Sequence, residues 1–152
     1  MTNPPEGYAI GYLVWHLTLK WRAEMARFLA PLGLTPTQYS VLASLYALVS
    51  TGAEPSQREL ADFSGLEAMH VSKVVRALER DGLVERGESA SDPRAFRLTL
   101  TEHGVDVLMQ AIGMVRQQEA RRLKALGEPV EEQAAQLSAM LRTLLQATDV
   151  GT

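Results

Sequence analysis

The sequence predicts a mainly α protein with one two-stranded β hairpin, set between long N-terminal and C-terminal helices. Three observations carry this. Apolar residues recur every three or four positions over most of the 152 residues, which is the helical period. Two stretches, Thr35-Pro-Thr-Gln38 and Ser56-Gln-Arg-Glu59, place a hydroxyl residue three positions ahead of Gln or Glu, the spacing of a helix-opening capping box. Only between Leu83 and Leu100 does the period fall to two, as in a half-buried strand.

The first helix is expected over residues 7–30. Ile10, Val14, Leu17, Trp21, Met25 and Phe28 form one apolar row, and Tyr8, Tyr12, Trp15 and Leu19 form a second. A helix apolar on more than one side is covered by a core or by a partner. Pro31 and Gly33 end it. Thr35 caps the second helix, with Pro36 at its first position and Tyr39, Leu42, Ala43 and Tyr46 on its apolar side. Residues 50–55 read as a loop. Ser56 opens a short helix that stops at Gly65, and a longer one runs from about Glu67 to Arg80 before the Asp81-Gly82 turn. "LVER" (83–86) and "RAFRLTL" (94–100) then pair as a hairpin with a long tip. Thr101 caps a helix through Leu126, with Val105, Leu108, Ile112 and Val115 on one face. Gly127 and Pro129 separate it from a last helix bearing Val130, Ala134, Leu137, Leu141 and Leu144.

The most informative spacing lies in "QRELADFSGLEAMHVSKVVR". Leu60, Ala61, Gly65, Leu66, Val71 and Val74 stand four, five, nine, ten, fifteen and eighteen places along it, counted from Gln57 as the first. Two helices crossing steeply need a small residue at the contact, here Ala61. The turn between them needs a residue tolerant of positive φ, here Gly65. The other four fill the wedge. This is the pattern of a helix-turn-helix.

With Val71, Val74, Val75 and Leu78 facing inward, the second helix of the pair turns Met69, His70, Ser72, Lys73, Arg76 and Arg80 toward solvent or the flanks. Such a helix fits the major groove of double-stranded DNA, where Lys or Arg bond guanine and His or Ser bond bases or phosphates. Amide groups at Ser56 and Gln57, at the start of the preceding helix, are placed to hold a phosphate, and Arg86 adds a cation on the hairpin. The charge balance runs the other way. Net charge is −3, and residues 57–100 hold seven basic and eight acidic groups. Indiscriminate coating of nucleic acid is therefore excluded, and any DNA binding has to rest on segregated charge.

The order of helices, helix-turn-helix, hairpin and two further helices resembles the MarR family of winged-helix repressors over nearly the whole chain. The residues that carry it are "LTPTQYSVLASL", "QRELADFSGL", "VVRALERDGLVER" and "SDPRAFRLTLTEHG". The family's wing motif, Asp-x-Arg followed by a strand and Leu-Thr-x-x-Gly, is matched by Asp92, Arg94, Leu100, Thr101 and Gly104. Pro93 replaces a frequent Arg, Lys73 stands where Arg is frequent, and "EAMH" is an atypical opening for the recognition helix, so operator preference does not carry over. The resemblance implies a mainly α winged helix-turn-helix with long N- and C-terminal dimerisation helices. It implies a single domain over 1–152, with 1–34 and 102–152 for dimerisation and 35–101 as the DNA-binding lobe. It implies a homodimeric transcriptional repressor on a roughly palindromic operator. In such a wing Arg94 enters the minor groove, and Asp92 holds the Arg94 side chain in place through a charged hydrogen bond across a turn stiffened by Pro93. Relatives sense small aromatic or phenolic acids near the hinge of the dimer, and Trp15, His16, Trp21, Arg22, Tyr39 and Tyr46 are the lining residues expected here.

Other functions find less support in the residues. There is no cysteine, so disulfides and thiolate metal sites are excluded. His16, His70 and His103 sit in no HExxH or catalytic-triad context, and no Gly-rich phosphate loop is present. Neither an enzyme nor a metal or cofactor site is expected. "MTNPPEG" has no basic residue of the kind that opens a signal peptide, and no stretch is apolar enough to span a bilayer. A soluble cytoplasmic protein is the expectation. A winged-helix module that binds protein instead of DNA is the alternative that the acidic balance keeps open.

Overall fold

In the computed structural model, residues 6–7, 9–92, 94 and 96–147 are described. The expectations placed on Tyr8 and Pro93 lie outside them. Among the described residues, six helices and one hairpin follow in the order α1 (Ile10–Leu29), α2 (Pro36–Ser50), α3 (Gln57–Ser64), α4 (Ala68–Arg80), β1 (Val84–Glu88), β2 (Phe96–Leu100), α5 (Glu102–Leu123) and α6 (Val130–Ala147), with short 3-10 turns at Ala30–Leu32 and Lys124–Leu126. The chain falls into two compact units, residues 1–114 and 115–152.

Both capping boxes form. Thr35 Oγ1 accepts from the Gln38 amide at 3.1 Å while Gln38 Oε1 accepts from the Thr35 amide at 2.9 Å. Ser56 and Glu59 make the same exchange at 3.2 and 2.8 Å. These satisfy amide donors that a helix start otherwise leaves open.

The core of the first unit lies where α2 packs on α3, α4 and β2. Leu42, Leu45, Leu60, Val71, Val75 and Leu78 are fully buried there, and burying each such side chain contributes about 1.5–3 kcal/mol. The stripe expected on α2 is corrected in detail. Val41, Leu42 and Leu45 are buried, whereas Tyr39, Ala43 and Tyr46 are half-buried. Gly65 closes α3 at φ 70°, and the Leu66 amide bonds back to Ala61. A side chain at Gly65 would be strained at that φ. The two helices therefore meet as their spacing requires.

β1 and β2 pair antiparallel, with Val84 opposite Leu100 and Glu88 opposite Phe96. β1 runs two residues beyond the expected "LVER", because pairing with β2 continues to Glu88. Thr101 then locks the hairpin to α5. Its hydroxyl donates to the Gly82 carbonyl at 2.6 Å and accepts from the Gly104 amide at 2.9 Å. A Cβ on Gly104 would lie 2.0 Å from the Leu83 carbonyl oxygen, so only glycine lets α5 start this close to the turn. That is the physical content of the Leu-Thr-x-x-Gly spacing.

α1 is apolar on more than one side, as expected, but it starts at Ile10, and Leu29 is its one fully buried residue in the isolated chain. Leu13, Val14, Trp15, Leu17 and Leu19 are all more than 40 % exposed. In the second unit α6 leaves Met140, Leu141, Leu144 and Leu145 exposed. No helix among the described residues is long and apolar enough to cross a membrane.

Candidate nucleic-acid interface

α4 is amphipathic in the sense the sequence requires. Val71, Val74, Val75 and Leu78 are buried, while Met69, His70, Lys73, Arg76 and Arg80 are exposed. The exposed positions 69, 73, 76 and 80 follow steps of four, three and four, so they share one stripe of the helix. Lys73, Arg76 and Arg80 line a shallow depression together with Glu79. Ser72 is half-buried on its flank.

Other expected contact residues are engaged within the fold. Arg86 on β1 pairs through Nε with Glu79 on α4, and its Nη2 donates to Gln57 Oε1 at 3.3 Å. It ties β1 to α4 and to the start of α3. The capping box occupies the amides of Ser56 and Glu59, so the Ser56 amide expected to hold a phosphate already has a partner within the fold. The charged bond expected from Asp92 to the Arg94 side chain is corrected: Asp92 bonds the Arg94 backbone instead. Its Oδ1 accepts from the Arg94 amide at 2.9 Å, a local side-chain-to-backbone bond of the kind Asp readily makes.

The hairpin has a further support in the stretch 50–55, which by sequence is only a loop. Glu54 bonds to Arg97 of β2 and to residues 89 and 90 just beyond β1. The Arg97 hydrogen bond is the main influence holding the Glu54 carboxyl below its ordinary 4.5, against a smaller opposing effect of desolvation. A carboxylate with a depressed pKa contributes fully above its unfolded value. The contribution is lost as pH falls through the folded value, so the tie is intact at neutral pH and fails only in acid.

Between α1, α2 and α3, an open cavity of about 530 Å³ is lined by Arg22, Met25, Tyr39, Ala43, Phe63 and Leu66, among others. Arg22 Nη2 donates to Thr37 Oγ1 at 3.4 Å. Of the six residues expected to hold a ligand, Arg22 and Tyr39 line this cavity, whereas Trp15, His16, Trp21 and Tyr46 are not among its lining residues. Trp15 is 62 % exposed and lies seven residues before Arg22, roughly 10 Å along the helix. His16 packs its ring on Tyr12 at a centroid distance of 4.2 Å. Phe63 and Met25 escape a reading of the sequence, because a large apolar residue in a helix reads as core until its neighbours are known.

Comparison with known proteins agrees with this architecture. A model of the MarR family matches residues 34–96. The chain is 36% identical over 105 residues to the HTH-type transcriptional regulator YdcH of Bacillus subtilis, covering 69% of this chain and 71% of that one. It is 32% identical over 124 residues to an HTH-type transcriptional repressor of Mycobacterium tuberculosis, covering 82% of this chain and 86% of the other. The transcriptional repressor CouR, solved bound to a 23-mer DNA duplex, superposes with a TM-score of 0.80 at 29% identity, over 95% of this chain and 99% of that one. With helix-turn-helix, wing and flanking helices all in place, the chain belongs to the MarR family of winged-helix transcriptional regulators.

Proposed function

We propose that this protein is a repressor that binds double-stranded DNA in a sequence-specific manner, as a homodimer on a roughly palindromic operator. The observation that carries the reading is the single exposed stripe of Met69, Lys73, Arg76 and Arg80 on α4, flanked by a hairpin with Arg94 at its tip. In the major groove Lys73 and Arg76 supply donors for guanine. Met69, 77 % exposed, supplies an apolar contact for a thymine methyl. Arg94 then reaches the adjacent minor groove, whose narrow tracts concentrate negative potential. The CouR structure on DNA supports this docking by analogy.

The direct test is to pass fragmented genomic DNA over the purified protein at two salt concentrations. Retained fragments should share a palindromic sequence, and retention should fall steeply with salt because phosphate contacts release counterions. Absence of any salt-dependent retention would reject the reading and leave a winged module that binds protein.

Release from DNA by a small aromatic acid is part of the same proposal. The cavity volume is within the usual range for small-molecule sites. Its walls combine the Tyr39 and Phe63 rings with the Arg22 guanidinium, which suits an aromatic carboxylate. Benzoate- and salicylate-type acids are expected to quench Trp21, the neighbour of Arg22 on α1, and to lower DNA affinity in parallel. Arg22→Ala should weaken both effects. If millimolar concentrations of such acids change neither signal, the cavity has another role.

A further inference from the structure

An acid outside the wing holds the wing in place. Glu54 sits in the α2–α3 loop, two residues before the Ser56 cap, yet its carboxylate reaches both sides of the hairpin. Oε1 accepts from Nη1 of Arg97 at 2.7 Å. Oε2 accepts from the Ala90 amide at 3.2 Å and from the Ser89 hydroxyl at 3.4 Å. The next loop residue adds a main-chain tie, since the Pro55 carbonyl accepts from the Leu98 amide at 3.0 Å. Arg97 has room to lie across the sheet because its strand partner is Gly87. A Cβ there would stand 3.1 Å from Arg97 Nε.

The bonds continue from Glu54 to the tip. Ser89 Oγ accepts from the amides of Ser91 and Asp92, both at 3.3 Å. Asp92 Oδ1 in turn accepts from the Arg94 amide at 2.9 Å. One loop carboxylate thus stands at the root of a chain that ends on the backbone of the wing-tip arginine. Charge alone does not explain an acid at the base of a hairpin meant for phosphate, because it would repel DNA. Stability does not explain it either. The Glu54 side chain is 31% exposed and that of Arg97 44%, and an ion pair so exposed adds little to folding. Orientation does explain it, because charge-assisted bonds to an ionised carboxylate are short and directional.

We propose that Glu54 is a positioning residue of the DNA interface, anchoring a relay through Ser89 and Asp92 that fixes the direction in which the wing presents Arg94. The assignment rests on the DNA-binding reading above for its consequence, but the relay itself can be measured without DNA. Hydrogen exchange of the free protein should show faster exchange of the Ala90, Asp92 and Arg94 amides in Glu54→Ala, with protection in α3 and α4 and the melting temperature unchanged. On a duplex selected from a random-sequence library by the wild-type protein, Glu54→Ala should bind roughly tenfold more weakly. Hydroxyl-radical protection of the outer minor groove should disappear while major-groove protection stays. Arg94→Ala added to Glu54→Ala should cost little more, because the relay acts through that arginine. Glu54→Gln, which keeps the shape but not the charge, should fall between the two. Unchanged exchange over residues 89–94 would overturn the relay. So would equal or tighter DNA binding by Glu54→Ala, which is the outcome that charge alone predicts. If the wild type selects no duplex while Glu54→Ala still loosens the tip, the relay stands and the DNA reading is what fails.

Discussion

Leu144→Glu is expected to convert a dimer into a monomer and to abolish operator binding at concentrations where the wild type binds fully. In the isolated chain Leu144 is 54 % exposed and Leu141 is 41 % exposed. For a true monomer, a carboxylate at either place would be harmless and would improve solubility. Covered by a second copy, the same carboxylate is buried without a partner, which costs several kcal/mol. Two-fold symmetry places the substitution in the interface twice. A dimer on a palindrome also gains affinity from holding both half-sites at once, so the loss in DNA binding should exceed the loss of any one contact. Sedimentation of wild type and Leu144→Glu side by side decides the matter. A wild-type protein that sediments as a monomer removes the premise, and a Leu144→Glu protein that stays dimeric places the interface elsewhere.

The apolar faces of α1 and α6 are legible in the sequence alone, because periodicity needs no knowledge of neighbours. The same holds for the capping boxes at Thr35 and Ser56, the crossing at Ala61 and the turn at Gly65. Each is a local rule acting over a few residues. What the sequence hides is non-local. Glu54 lies 43 residues from Arg97, and nothing in "STGAEP" marks it as more than loop. Its meaning appears only when the hairpin folds back on the α2–α3 loop. Arg86 is drawn toward DNA in a reading by sequence because an isolated basic residue on a wing looks like a phosphate contact. Its partners Glu79 and Gln57 belong to two other elements, and together they recruit it as a strut. The ligand candidates divide for a related reason. Composition picks out aromatic residues on a helix, but only packing against α3 selects which of them border a cavity.

Lys73→Ala and Arg76→Ala should each weaken specific DNA binding by about 1–3 kcal/mol per half-site, and a homodimer incurs that loss twice. Both side chains are exposed on α4, and the buried stripe of Val71, Val74, Val75 and Leu78 does not depend on them. Folding should therefore be untouched, with an unchanged melting temperature as the control. The salt dependence of affinity then separates two roles. A side chain that neutralises a phosphate lowers the salt slope by roughly one when removed and weakens all sequences alike. One that reads a base leaves the slope nearly unchanged and relaxes preference at one operator position. Arg76 lies near the centre of the exposed stripe, about one turn beyond Lys73, and its planar fork matches the O6 and N7 edge of guanine. It is expected to behave as a base reader. Lys73 presents a point charge that serves guanine and the adjacent phosphate together, so its removal is expected to shift the slope as well as the affinity. If both variants bind a mapped operator like the wild type, α4 does not enter the groove along this stripe, and the assignment of the recognition surface fails.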